Sequence, residues 1–146
     1  MKQFTKIIYT TLAFSFLYSF QNVEAQNKGG FFNKQKNAVS SDIQIGTYTF
    51  KDGSIYTGEL FKGKPYGKGK TIFKNKDTYE GEYVNGLREG EGIYITADGE
   101  KYEGQWFHNV RHGHGIFYFS DNNRYDGMWY QDLQQGEGTM YYHNGD

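Results

Sequence analysis

The stretch that decides the fold reads Tyr79-Glu-Gly-Glu-Tyr-Val84, then Asn85-Gly86, then Gly90-Glu-Gly-Ile-Tyr-Ile95. Large residues alternate with small or polar ones in the first and last segments, and this two-residue period is typical of β-strands. Asn-Gly between two such segments is a turn signal. We therefore predict a β-hairpin, and we expect the next turn, at 97–99, to lead the chain into a further strand.

The same pattern recurs at a fixed spacing. A Tyr-x-Gly phrase begins every 23 residues, at Tyr56, Tyr79, Tyr102 and Tyr125, and a Gly-x-Gly follows each one, at 67/69, 90/92, 113/115 and 136/138. A constant period in this range indicates a linear repeat array. We predict an all-β fold, an elongated single-layer antiparallel meander of repeated β-hairpins. The domain would cover 43–146, with a half repeat at 44–55 and repeats at 56–78, 79–101, 102–124 and 125–146.

Loop length predicts the register of neighbouring strands. A three-residue loop at 97–99, with Gly99 at the position that needs a positive φ, sets Tyr94 opposite Tyr102 and Gly92 opposite Gly104. One face of the sheet would then carry aromatic rows, and the strand glycines beside them would leave room for the rings. We predict that this aromatic face binds a protein partner. Its residues would be Tyr56, Tyr79, Tyr83, Tyr94, Tyr102, Trp106, Tyr125 and Trp129.

The N-terminus has a different composition. Lys2 and Lys6 flank an uncharged run that ends near Phe20, and Val23-Glu24-Ala25 offers a small-residue cleavage site. This is the pattern of a signal peptide, predicted at 1–25, followed by a flexible polar linker at 26–42. We expect a secreted, periplasmic or cell-envelope protein, or a membrane-anchored one if the segment stays uncleaved. The chain has no Cys, so it forms no disulfide.

The repeated phrase resembles the MORN (membrane occupation and recognition nexus) repeat, Tyr-x-Gly-x-(aromatic)-x-x-Gly-x-x-x-Gly-x-Gly, over about two thirds of the chain. The eighth position departs from it at Asn109 and Asp132, two residue types that tolerate left-handed turns. The resemblance implies a sheet used for protein association, and in several members for binding phospholipid head groups. Members that are enzymes carry catalysis in other domains. We therefore expect a non-enzymatic protein-interaction or scaffolding module; the alternative is a peripheral membrane module.

The alternative rests on a group of lysines in the first repeat. The predicted register sets Lys68 opposite Glu82 and Lys70 opposite Glu80, and these are read as cross-strand ion pairs. The others could bind anionic lipid head groups, or they could form an ordinary solvated basic end. These remaining lysines are Lys62, Lys64, Lys74 and Lys76.

The sequence gives less support for a metal site or a catalytic site. His108, His112 and His114 could hold a metal, but no carboxylate is obviously aimed at them, and surface histidines are the preferred interpretation. Carboxylates are plentiful, but a flat sheet offers no water-excluding cleft for acid–base catalysis. We predict no catalytic residue, metal, cofactor or nucleic-acid partner. The strand at 136–142 predicts a homodimer through its edge, unless further repeats of a longer array cover it.

Overall fold

The computed structural model describes residues 42–145, which form nine β-strands. They contain no helix that could cross a membrane. The predicted signal peptide (1–25) and the linker (26–42), apart from Asp42, lie outside the described residues. The strands are β1 (Ile43–Thr49), β2 (Ile55–Phe61), β3 (Lys64–Ile72), β4 (Thr78–Val84), β5 (Leu87–Ile95), β6 (Lys101–Phe107), β7 (Val110–Tyr118), β8 (Arg124–Tyr130) and β9 (Leu133–Tyr141).

All nine strands belong to one sheet, in which each strand pairs antiparallel with its neighbours in chain order. The predicted meander of β-hairpins is therefore confirmed. The predicted register is confirmed as well, because Tyr94 faces Tyr102 and Gly92 faces Gly104. The φ of Gly99 is +91°, as the three-residue loop requires.

The two glycines of each Gly-x-Gly have different roles, shown by the unit at 90–92. Gly90 has a φ of +61° and lies where the register between β4 and β5 shifts, so it forms a β-bulge that bends the strand. Gly92 lies beneath a ring: a Cβ added there would be 2.3 Å from Oη of Tyr79. The second glycine therefore makes room for the aromatic layer, as expected.

The core of this single-layer protein lies within its aromatic face. Trp106 contacts Tyr79 and Tyr102 edge-to-face, with ring centroids 5.2 Å apart in both pairs. Such contacts stabilise aromatic pairs by about 0.5–1.5 kcal/mol beyond the area they bury. Polar atoms of these rings also form hydrogen bonds. Tyr56 Oη donates to the Glu59 carbonyl at 2.7 Å, and Trp106 Nε1 donates to the Gly92 carbonyl at 3.2 Å.

Candidate interaction surface

The aromatic side chains predicted to bind a partner are largely inaccessible. Tyr94 is half-buried, and the other seven expose between 0 and 6% of their surface. Burial raises the pKa of Tyr56 to about 12, because desolvation disfavours the phenolate. These side chains form the core, so most of the surface that a partner can contact is made by other residues.

Two arginines, which the sequence did not single out, lie within the aromatic face. The Arg88 guanidinium lies 4.3 Å from the centre of the Trp106 ring and donates to the Asn109 carbonyl at 2.6 Å. Desolvation lowers the pKa of Arg88. In the next repeat, Arg111 makes the equivalent contacts to Trp129 and Asp132. Each arginine thus joins the turn region of one hairpin to the turn of the next.

The accessible apolar residues lie on the opposite side of the sheet, which we call the open face. Strand alternation assigns to it nearly all the large apolar side chains that are exposed. Ile55 pairs with Ile72 on the side of the sheet where the β1–β2 and β3–β4 turns lie. On the opposite side, Val84 pairs with Leu87 and Tyr130 with Leu133. The exposed apolar residues of this face are Ile45, Ile55, Ile72, Val84, Leu87, Ile93, Ile95, Phe107, Met128, Tyr130 and Leu133.

Two separate, open recesses lie on the open face. One, lined by residues of β2 to β6, has a volume of 630 Å³, and the other, lined by residues of β7 to β9, has 520 Å³. Strand glycines such as Gly81 and Gly92 line the first recess, where they carry no side chain. The charged and titratable side chains that line the two recesses are Glu80, Glu82, Glu91, Glu103, Asp126, Glu137, Lys68, Lys70 and His114.

The lysines of the two predicted cross-strand pairs line the first recess. Lys70 Nζ is 3.6 Å from Glu80 Oε2, which confirms that predicted ion pair. Lys68 faces Glu82 in the register, as predicted, but the Glu82 carboxylate lies beside Gly90 and forms no ion pair with Lys68. At this exposure the Lys70–Glu80 pair contributes about 0–1 kcal/mol.

The four lysines considered for lipid binding are all exposed, but they form two separate pairs. Lys62 and Lys64 lie at the β2–β3 turn, whereas Lys74 and Lys76 lie at the β3–β4 turn. β3 begins at Lys64 and ends at Ile72, before Lys74, so the pairs lie at opposite ends of a strand whose eight steps span about 26 Å at 3.3 Å per residue. One head group therefore cannot contact both pairs.

Two of the three histidines considered as metal ligands have carboxylate neighbours, which corrects one sequence expectation. His114 Nε2 is 2.7 Å from Asp126 Oδ1, and His108 Nε2 is 3.4 Å from Glu89 Oε1. The register brings these carboxylates close from neighbouring strands, which chain spacing alone did not show. His112 packs between Phe107 and Tyr130. Within residues 42–145 no group of three or more such side chains could hold a metal ion.

A family comparison agrees with the repeat structure. The model of the MORN repeat matches five consecutive segments of the chain, 45–55, 56–78, 79–101, 102–124 and 125–146. Each complete segment begins at the buried Tyr of a Tyr-x-Gly phrase. No curated protein matches the chain.

Proposed function

Because the chain belongs to the MORN-repeat family, whose repeats are generally protein- or membrane-interaction modules, we propose that it is a non-enzymatic module that binds another protein through its open face. The observation that carries this proposal is the set of exposed apolar side chains gathered there. Leu133 exposes 68% of its surface, Ile72 55% and Phe107 50%. Several of these side chains are cross-strand neighbours, such as Tyr130 and Leu133, and grouped exposed apolar residues of this kind mark interaction sites.

The test is affinity capture from a native extract by the immobilised full chain. An Ile72→Ser/Phe107→Ser/Leu133→Ser variant should lose the captured partner, because it removes apolar side chains near the turns on both sides of the open face. A Tyr142→Ser variant is the control, since Tyr142 is also an exposed large residue (41%) but lies outside that face. Equal capture by the triple variant and the unmodified chain would refute the proposal.

Membrane docking is the second candidate, favoured by the exposure of Lys62, Lys64, Lys74 and Lys76. Vesicles with anionic lipid should sediment the full chain, and reversal of the four lysines to Glu should abolish this. Added salt should also weaken binding, because exposed charges act within a Debye length of about 8 Å. Sedimentation that ignores both changes would eliminate the electrostatic form of this candidate.

Export is part of the proposal and rests on the sequence at the N-terminus. Cleavage after Ala25 would leave Gln26 as the first residue of the mature protein. Intact-mass measurement of the exported protein tests this directly. A mass that retains residues 1–25 would instead favour the membrane-anchored form.

A further inference from the structure

The strand β1 forms one edge of the sheet, because β2 is its only neighbour among residues 42–145. An edge strand presents backbone N–H and C=O groups to a further strand, and charged side chains or Pro usually discourage such pairing. β1 (Ile43–Thr49) contains no charged residue and no Pro. Its composition therefore favours pairing with another extended chain.

Gly46 of β1 differs from the glycines at the equivalent position of the four later repeats. Each of those glycines lies beneath the ring of the Tyr 13 residues earlier, as Gly92 lies beneath Tyr79. They are Gly69, Gly92, Gly115 and Gly138. Apart from its chain neighbours, a Cβ added at Gly46 would meet only the Leu60 side chain within 4 Å. Among the described residues, a position that a ring fills four times therefore has no ring at the β1 edge.

A recess lies next to this glycine. It has a volume of 250 Å³ and is lined by Asp42, Gln44, Leu60, Lys62 and Gly63. Gln44 and Gly46 lie on the same side of β1, because side chains alternate along a strand, and Leu60 borders both the recess and Gly46. A cavity of about 150 Å³ is enough to bind a benzene ring. The β1 edge therefore has room for an aromatic side chain once the end of Leu60 rotates away.

The sequence and the topology indicate which molecule supplies the ring. At the spacing of the repeat, the Tyr and the Gly of a strand before β1 would be residues 33 and 35, and these are Asn33 and Gln35. Every Tyr-x-Gly strand of the chain (β2, β4, β6 and β8) has a neighbour on both sides, so a second copy cannot supply one without opening its own sheet. The ring is therefore expected from a different protein.

We propose that β1 binds an extended segment of a partner protein that contains Tyr-x-Gly and adds to the sheet as a further antiparallel strand. In the pairing of β4 with β5, Gly81 faces Gly92 and Tyr79 faces Tyr94. The same register sets the partner's Gly opposite Gly46 and its Tyr opposite Tyr48, with the ring over Gly46. In strand addition, backbone hydrogen bonds supply affinity and side-chain pockets supply specificity. This edge is distinct from the open face, so the inference goes beyond the proposed function.

The probe is a fluorescent peptide with the sequence of residues 77–86, which contains β4. Its anisotropy is measured against the full chain, with the same peptide carrying Tyr79→Ala as the control. The full chain should bind the first peptide at least about tenfold more tightly, because a buried aromatic anchor supplies much of the binding free energy. Equal binding of the two peptides overturns the proposal. So does absence of binding up to about 1 mM, which is also the result if another part of the chain already covers this edge.

Two variants of the protein locate the site. The methyl group of Gly46→Ala would occupy the space of the bound ring, as a Cβ at Gly92 would collide with Tyr79. Overpacking of this kind should weaken peptide binding about tenfold or more. Thr47→Ala is the control, because Thr47 is exposed on the other side of the same strand, and its effect should be less than about threefold. Thermal unfolding checks that both variants fold, and equal affinities of the two folded variants overturn the proposal.

The result at the β1 edge is separable from the outcome for the proposed function. The Ile72→Ser/Phe107→Ser/Leu133→Ser variant leaves β1 unchanged, so it should bind the peptide within about threefold of the unmodified chain. If this variant loses the peptide, the peptide binds the open face and the inference fails, whereas the proposed function does not. If it keeps the peptide but loses the captured partner, the two surfaces bind independently.

Discussion

Replacing Gly92 with Ala should destabilise the sheet strongly, although it adds a single methyl group. The new Cβ would lie 2.3 Å from Tyr79 Oη and 2.5 Å from its Cε2 and Cζ. Tyr79 is fully buried and packs against Tyr83 and Trp106, so its ring cannot move aside without disturbing them. Overpacking costs about 1–3 kcal/mol, and three simultaneous short contacts place this variant at about 3 kcal/mol.

The backbone preference of Ala over Gly acts in the opposite direction and reduces the expected loss of stability. Ala is favoured over Gly within a strand by about 0.5–1 kcal/mol, so the net loss should be about 2–2.5 kcal/mol. At about 4–8 °C per kcal/mol, this corresponds to a fall in Tm of roughly 10 °C or more. Urea unfolding followed by tryptophan fluorescence measures the free energy directly.

The control is Gly46→Ala, another strand glycine without a positive φ. Its added Cβ would meet only the end of the Leu60 side chain, at 2.9 Å from Cδ1, and that end can rotate away. This variant should stay within about 1 kcal/mol of the unmodified protein. Equal stability of the two variants would refute the packing of Tyr79 over Gly92. Adding Tyr79→Phe to Gly92→Ala should recover part of the loss, because it removes the nearest atom.

Three further results are expected. Tyr102→Ala should cost about 3 kcal/mol in urea unfolding and Tyr118→Ala less, because Tyr102 is buried and Tyr118 is half-buried on the open face; equal losses would contradict the register. Burial alone would raise the pKa of Asp77. Hydrogen bonds from Tyr94, the Ala97 amide and Asn75 outweigh this effect, so the pKa lies below its usual 3.8. Asp77 therefore stabilises the fold above pH 3.8 and loses this effect as the pH falls through its folded pKa, so Asp77→Asn should flatten the acid limb of Tm against pH; unchanged limbs would contradict this. If β9 pairs with a second copy through 136–142, light scattering should show a dimer that Tyr141→Lys dissociates, and a concentration-independent monomer would rule it out.

The sequence predicted the strands and much of their register because both depend on local chemistry. The 23-residue period placed every Tyr-x-Gly phrase on an equivalent strand. The loop with Gly99 then determined which residues face each other, since a three-residue turn has one preferred geometry. Lys70 and Glu80 were predicted as a pair from the same rule and lie in contact.

The accessible surface was harder to predict than the fold. Alternation assigned Tyr79 and Tyr102 to one face, with glycines making room for their rings, but it could not show that these rings, over Gly92 and Gly115, become almost completely buried. The β-bulge at Gly90 was also not predicted, because the strand pattern in the sequence looks uninterrupted there. Burial arises from packing between repeats, which a single repeat does not contain.

The contacts of the two arginines explain a detail that the sequence presented as an irregularity. Asn109 and Asp132 depart from Gly at the eighth position of the repeat, and each has an Arg 21 residues earlier, at 88 and 111. The side-chain oxygen of each accepts from the amide of that Arg, at 2.8 and 2.9 Å, while the guanidinium donates to the carbonyl of the same Asn or Asp. Where position 86 has Gly, position 65 has Pro, which has no amide hydrogen to donate. At 86, 109 and 132 the residue at the eighth position therefore matches the hydrogen-bonding capacity of the residue 21 positions earlier, and at 109 and 132 it joins two neighbouring repeats.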